Sequence, residues 1–333
     1  MINIVMVVSD NCMGSTIFSA LDLLTTANYL NKSYCGHTED FCQVHMVGTS
    51  TYQTAFNGQK IGPLMDIQAV EKPDVLLLPS IEVAVASKRR AMAAFKKFEP
   101  WFPIFREWQK QGTIIASTCS GNLLIAAAGL SRQRPLTCHW INQTIAQELF
   151  PHEQFRAESS FFDHGDLISS GGAMSINQLI LYLIERLGSR ELALYCGKIM
   201  LVEPALGKQS RYTFFKPNKA HEDQQVKKMQ DWLEKNFDQR INVSNVGREW
   251  GISERQLVRR FRKVTGETPG SYLQKIRLDH VKHELENTEQ PANNIIWSSG
   301  YEDVSSFRRL FKKETGMTMK EYRKRFGMHS YSM

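Results

Sequence analysis

Two kinds of apolar spacing divide the chain. From Met1 to about Arg211, short runs rich in Val and Ile alternate with longer stretches in which apolar residues recur every third or fourth position. The runs INIVMVV, CQVHMVG, DVLLLP and TIIAST are nearly unbroken by polar residues. That is the pattern of strands buried on both faces, and hence of a parallel sheet. TIFSALDLLTTANYL after the first run, EPWFPIFREWQKQG after the third and SINQLILYLIERLG further on carry the helical period. Strands and helices in alternation predict an α/β doubly wound, flavodoxin-like parallel sheet. The pattern breaks at RYTFFKPNKAHEDQQ, where Pro217, Asn218 and a polar cluster interrupt it. The first domain is therefore placed at 1–212, a linker at 213–222 and a second domain at 223–327. In the second domain VKKMQDWLEKNF, VSNVGREW, SERQLVRRFRKVTG, GSYLQKIRLDHVKHELENT, ANNIIWSS, DVSSFRRLFKKETG and TMKEYRKRF all have helical spacing, which predicts an all-α unit.

The helical half repeats itself. SERQLVRRFRKVTG at 253–266 returns as DVSSFRRLFKKETG at 303–316, with Leu257/Phe307, Phe261/Phe311, Lys263/Lys313, Thr265/Thr315 and Gly266/Gly316 in register. Upstream, VGREWG at 246–251 corresponds to IIWSSG at 295–300. Helix, short glycine-containing turn, helix is the helix-turn-helix arrangement, whose second helix is left free to enter a major groove. Leu257, Phe261 and Val264 fall on one face of the first copy's second helix, and Arg255, Val258, Arg259 and Arg262 on the other. In the second copy Phe307, Leu310 and Phe311 form the core face. Ser305, Ser306, Arg308, Arg309 and Lys312 are left outside. Arginine reaches guanine O6 and N7 bidentately, and the flanking Arg260, Arg262, Arg308 and Lys312 suit backbone phosphate.

Charge agrees with that division. The chain carries 41 Lys+Arg against 34 Asp+Glu, a net +7. From Glu222 onward the count is 21 against 16, so the last third holds most of the excess. An excess this modest suits a polyanion only when it lies on one face, as the repeat arranges it. With 42% hydrophobic and 23% charged residues the chain is expected to be globular. The N-terminal apolar run lacks a basic lead and stops at Ser9 and Asp10, too early for a signal peptide, and no run of about 18 apolar residues predicts a membrane span. A cytoplasmic protein with no membrane partner is expected. The six cysteines form no CxxC pair, so they are read as reduced thiols, with no metal and no cofactor.

With these residues in place, positions 225–326 resemble the DNA-binding domain of AraC-type transcriptional regulators. The resemblance rests on S-x-x-x-L-x-R-x-F at Ser253, Leu257, Arg259 and Phe261, on Arg277–Leu278, and on G-Y…F-R-R-x-F-K-K-x-x-G from Gly300 to Gly316. It implies two recognition helices in successive major grooves of an operator duplex. The base-facing positions it implies are Arg255, Val258 and Arg259, then Ser305, Ser306 and Arg309. Val258 departs from the longer polar residue usual there and offers only a contact to a thymine methyl.

In the first domain, TIIASTCSGNLLIAAAGL at 113–130 reads as strand, sharp turn and helix, with Cys119 at the turn followed by Ser120 and Gly121. Such an elbow lies at the carboxyl edge of the sheet, where α/β folds bind ligands. Together with LTCHW at 136–140 it resembles the PfpI-type, glutamine-amidotransferase-like domain, and its pairing with an AraC module resembles GlxA-type regulators. In enzymes of that superfamily the elbow cysteine is a nucleophile activated by a histidine, here His139, and assisted by a carboxylate. Thr16 stands where related hydratases carry that acid, and Asn177 where many relatives have Asp. The elbow is therefore expected to form a ligand pocket of Cys119, Ser120, Gly121, His139 and Thr16 rather than a catalytic centre. The resemblance implies a sequence-specific DNA-binding regulator, expected as a homodimer, whose α/β domain senses a small metabolite, such as an amino acid, betaine or other nitrogen compound, or mediates dimerisation. The rival reading is a cysteine-dependent hydrolase or hydratase with an appended DNA-binding domain.

Overall fold

The computed structural model describes residues 1–81, 88–203, 209–213, 215, 217, 219, 221–241 and 253–327. The chain divides into two compact units, Met1–Gln209 and Ser210–Met333. No described helix is long and apolar enough to cross a membrane.

The strands of the first unit are β1 (Ile2–Val8), β2 (Cys42–Gly48), β3 (Gln53–Thr54), β4 (Lys60–Ile61), β5 (Val75–Leu78), β6 (Ile114–Thr118), β7 (Phe161–Asp163) and β8 (Leu167–Ser170). Six of them form one sheet in the order β2-β1-β5-β6-β8-β7, and β3 pairs with β4 in a separate ribbon. The four Val/Ile-rich runs are β1, β2, β5 and β6, all parallel. The parallel sheet expected from the sequence carries one antiparallel pairing at its edge, where β7 pairs with β8. Both strands are short, and β8 reads LISS, too polar to stand out as apolar although every residue of it is buried.

Alternation along the strands feeds two cores. Ile4, Met6, Val8, Val75, Leu77 and Ala116 join one cluster, while Val5, Val7, Leu76, Leu78 and Ile115 join the other. The helices are α1 (Gly14–Ser33), α2 (Lys88–Lys96), α3 (Phe102–Lys110), α4 (Gly121–Ala127), α5 (Gln143–Leu149), α6 (Ile176–Leu187) and α7 (Arg190–Ile199). Helices α1, α6 and α7 supply the first cluster, and α2, α3, α4 and α5 the second. Each fully buried Leu, Ile or Val is worth about 1.5–3 kcal/mol, so covering both faces stabilises the sheet.

In the second unit the described helices are α8 (Gln224–Lys235), α9 (Glu254–Thr265), α10 (Pro269–Asn287), α11 (Ala292–Ser298), α12 (Val304–Thr315) and α13 (Met319–Phe326). The segment VSNVGREW, read as the first helix of the first repeat, lies outside the described residues. Two small cores result. Tyr272, Leu273 and Ile276 of α10 pack with Leu257 and Phe261 in one, whereas Val281 and Leu285 of the same helix pack with Phe307 and Phe311 in the other. Helix α10 is thus shared by both repeats.

The repeat is chemical as well as apolar. Helix α9 begins with a capping box between Ser253 and Gln256, and α12 with Asp303 accepting from the backbone N–H groups of Ser305 and Ser306. Both end at a left-handed glycine, Gly266 (φ 82°) and Gly316 (φ 74°). Just before it, Thr265 and Thr315 donate their hydroxyls to the carbonyls of Phe261 and Phe311 at 2.8 and 2.7 Å. Thr268 and Thr318 then cap the following helices.

Candidate functional site

The exposed face of α9 follows from its caps and its buried pair. With Leu257 and Phe261 turned into the core, Arg255, Arg259 and Arg262 are exposed and Val258 is half-buried. These four line an open depression of about 920 Å³ with Ser253 and Lys263. On α12, Ser305, Arg308, Arg309 and Lys312 are exposed and Ser306 is half-buried. Ser306 is positioned on both sides: its hydroxyl donates to Asp303 Oδ2 at 2.6 Å and accepts from Arg309 Nη2 at 2.8 Å. Arg309 is thereby held over the first turn of its helix, extended by a fixed hydroxyl. Hydrogen bonds from Ser306 and the N-terminal amides hold the Asp303 carboxyl below the usual carboxylate range, so the cap stays ionised at neutral pH.

One assigned position faces elsewhere. Arg260, expected at phosphate, is turned toward the start of α8, where its Nε donates to Asp223 Oδ2 at 2.7 Å and its Nη1 to Gln225. The residue follows the helical period: it lies on the flank of α9 that packs beside α8, and Asp223 is the acid nearest to it. Arg308 Nη2 donates to Asn293 Oδ1 of α11 at 2.9 Å.

The elbow is built as its sequence suggests. Cys119 sits in the left-handed region (φ 57°) between β6 and α4. A Cβ on Gly121 would collide with the carbonyl oxygens of Leu78 and Pro79 and lie 2.7 Å from Ser117 Oγ, so only glycine fits where α4 crosses the end of β5. The neighbouring polar groups are paired. Ser120 Oγ is 3.1 Å from Ser80 Oγ and accepts from the Ile81 amide, while Thr118 donates to Gly172 O at 3.0 Å. Burial pushes the Cys119 thiol up to about 11, outweighing hydrogen bonds from Ser80 and Ser120, and burial with the neighbouring Cys119 pushes Cys138 up to about 12. Cys119 is therefore a neutral thiol at neutral pH.

His139 lies beside this edge but is already engaged. Its Nδ1 accepts from the Ile141 amide at 3.2 Å, capping the turn Trp140–Asn142, and burial lowers the ring below the usual imidazole value. The lone pair that would take a proton from a nucleophile is spent on that turn. Thr16 is buried in the first turn of α1, and its hydroxyl donates to Met13 O at 2.7 Å. Cys119, Ser120 and Gly121 thus form one turn at the carboxyl edge with His139 in the adjoining loop, whereas Thr16 is satisfied within its own helix.

Comparison with known proteins covers both units. A family model described as "Helix-turn-helix domain" matches residues 246–325. The chain is 27% identical over 226 residues to the HTH-type transcriptional regulator GlxA of Rhizobium meliloti (strain 1021), covering 67% of this chain and 68% of that protein. It is 36% identical over 95 residues to the regulatory protein SoxS of Salmonella typhimurium, 28% of this chain and 89% of SoxS. The chain belongs to the AraC-type transcriptional regulators. A crystal structure of a ThiJ/PfpI family protein from Pseudomonas syringae matches 62% of the regulator and 76% of its own length with a TM-score of 0.50 at 16% identity, which establishes the fold of the sheet unit. The architecture is therefore that of a GlxA-type regulator, a DNA-binding transcription factor.

Several basic residues of the helical unit were not singled out from the sequence. Lys320 and Arg323 of α13 line a second groove, of about 570 Å³, with Arg308, Arg309 and Lys312. Their helix was read correctly, but nothing in its spacing reveals that it lies beside α12. Arg277 was noted only as half of a motif. Its Nε and Nη2 donate to the carbonyls of Phe237 and Gln239 at 2.7 Å each, and its guanidinium lies 5.1 Å from the Tyr301 ring centre. Gly300 (φ 79°) makes room for it, since a Cβ there would lie 2.8 Å from Arg277 Nη2 and from the Phe237 and Asp238 carbonyls.

Proposed function

We propose that the regulator reads an operator duplex with the exposed faces of α9 and α12, and that its α/β unit is a sensor and dimerisation unit without enzymatic turnover. The observation that carries the first part is the duplication. Two helices with equivalent caps, equivalent glycine stops and equivalent buried aromatic positions each expose a cluster of basic side chains. Arg255, Val258, Arg259, Ser305, Ser306 and Arg309 would face bases, and Arg262, Arg308 and Lys312 phosphates. Arg260 is paired with Asp223, so it is assigned no phosphate.

For the sensor, the neutral Cys119, the engaged Nδ1 of His139 and the absence of a carboxylate at Thr16 and Asn177 all argue against a nucleophile. The edge formed by Cys119, Ser120, Gly121 and His139 is left as a place for a small effector, such as an amino acid or other nitrogen compound, and Thr16 contributes packing only. Exposed apolar residues along α7 and just beyond it, Leu194, Ile199 and Leu201, favour a homodimer, which as a DNA-binding regulator would act in the cytoplasm. The deciding experiment is selection of a duplex from a random-sequence pool by the full chain, followed by footprinting. Protection of two elements one helical turn apart, lost on Arg255→Ala and Arg309→Ala, is expected. A single protected element would overturn the bipartite reading.

A further inference from the structure

Residues 210–212, placed with the first domain in the sequence reading, and the start of the segment read as a linker, from Thr213, belong to the second compact unit. Ser210, the first residue of that unit, donates its hydroxyl to Glu314 O at the end of α12. The carbonyls of Ser210 and Thr213 accept from Lys282 Nζ of α10 at 2.6 and 3.0 Å, and Thr213 Oγ1 donates to Ser210 O at 2.9 Å. Arg211 O accepts from Tyr322 of α13 at 3.3 Å, and the Tyr212 ring meets Phe326 edge-on at 5.6 Å. At the other end, the Phe215 amide donates to Asp279 Oδ1 at 2.9 Å and its ring meets Tyr272 edge-on at 4.9 Å. Tyr272 belongs to the core of the first repeat, Tyr322 to that of the second. The described residues 210–213 and 215 therefore run along α10 and touch both halves. Lys282, only 5% exposed, is a buried ammonium whose described acceptors all belong to this strap. A buried ammonium must keep its acceptors, so the strap and Lys282 hold each other in place.

One peptide bond earlier, Gln209 closes the sheet unit. It is 6% exposed, and its Nε2 lies 3.0 Å from Thr137 Oγ1, 2.9 Å from Cys138 O and 3.2 Å from Ser159 O. A side chain on Gly171 would occupy the space that Gln209 fills. Thr137 and Cys138 lead directly into His139, the loop beside the elbow. The two anchorages are consecutive residues.

We infer that residues 210–213 and 215 brace the two helix-turn-helix halves against each other through Lys282, and that Gln209 makes this brace depend on the Thr137–His139 loop. A small molecule that shifts the loop would strain or release Gln209. The strap would then loosen or tighten, changing how firmly the separation of the two recognition helices is held. Gln209 and Lys282 are positioning residues here, since neither would touch ligand or DNA. The effector part of this inference rests on the sensor reading above, but the brace does not.

Hydrogen exchange on the full chain tests the coupling with neither effector nor DNA present. Gln209→Leu should speed amide exchange at least about tenfold both in the 136–139 loop and in the 210–215 strap, and Lys282→Met should do the same in both places. Effects confined to one side of the 209–210 bond would overturn the coupling. Should Lys282→Met fail to fold, Thr213→Val, which removes one hydroxyl of the strap, is read in the same way. A second arm uses a duplex selected by the wild-type chain and variants with one base pair inserted or deleted between its two elements. Wild type should lose about tenfold in affinity for the altered spacings and Lys282→Met less than about threefold. Equal losses in the two proteins would overturn the brace. Absence of any DNA binding by wild type would instead sink the DNA reading and leave the exchange result standing.

Discussion

At the residue scale, the elbow is shaped by exclusion. Gly121→Ala would press a methyl group against the carbonyl oxygens of Leu78, the last residue of β5, and of Pro79 just after it, and the Leu78 oxygen cannot retreat without disturbing the sheet. Overpacking of this kind costs about 1–3 kcal/mol, so thermal unfolding of the full chain should show a clear loss of stability. Cys119 calls for the opposite treatment. Because burial holds its thiol near 11, the reactive thiolate grows about tenfold per pH unit up to that value, and iodoacetamide labelling of Cys119 at neutral pH should be slow. Cys119→Ser should leave folding and DNA binding within about 1 kcal/mol of wild type. Fast labelling at pH 7, or turnover of an amide lost in Cys119→Ser, would restore the enzyme reading.

At the element scale, the proposed recognition helices α9 and α12 are expected to separate base reading from charge. Arg255→Ala, Arg259→Ala and Arg309→Ala should each weaken specific binding by roughly 1–3 kcal/mol and affect non-specific DNA less. Lys312→Ala, Lys320→Ala and Arg323→Ala should lower affinity for all sequences alike and reduce the log–log salt slope by about 1 each. Arg260→Ala is the internal control, because its guanidinium is held by Asp223 and should leave that slope unchanged. Titrations of wild type and variants at several salt concentrations check all of these, and a slope that falls as far for Arg260 as for Lys312 would show that the Asp223 pair opens on DNA.

For the whole molecule, Lys282 ties stability to pH. Burial lowers its ammonium to about 8 in the folded chain, against 10.5 for an ordinary lysine, despite the opposing pull of Asp279, Glu286 and Glu314. Between these two values the unfolded chain binds more protons than the folded one, so the folded state gains stability as pH rises from about 8 toward 10.5. At about 1.4 kcal/mol per unit the full gain is on the order of 3 kcal/mol. Urea unfolding of the full chain at pH 7.5, 8.5 and 9.5 should show stability increasing across that window in wild type and not in Lys282→Met. Identical slopes in the two proteins would assign the effect to other groups.

Much of this regulator was legible in its sequence, for a physical reason. Buried parallel strands need unbroken Val and Ile, an amphipathic helix needs its apolar period, and a duplicated turn needs its glycine, so β1, β2, β5, β6, the elbow glycine and both recognition helices announce themselves locally. The short strands β7 and β8 did not, because a strand of three or four residues containing Ser or Asp is recognised only by its hydrogen-bonded neighbour. The orientation of Arg260 toward Asp223, the addition of Lys320 and Arg323 to the groove beside α12, and the seating of residues 210–213 and 215 along α10 were also decided by tertiary structure. Local spacing fixes which face of a helix a side chain occupies. Which partner meets that face depends on how elements distant in sequence pack together, and that is how a polar stretch that reads as a linker comes to be pinned by a buried lysine about 70 residues further on.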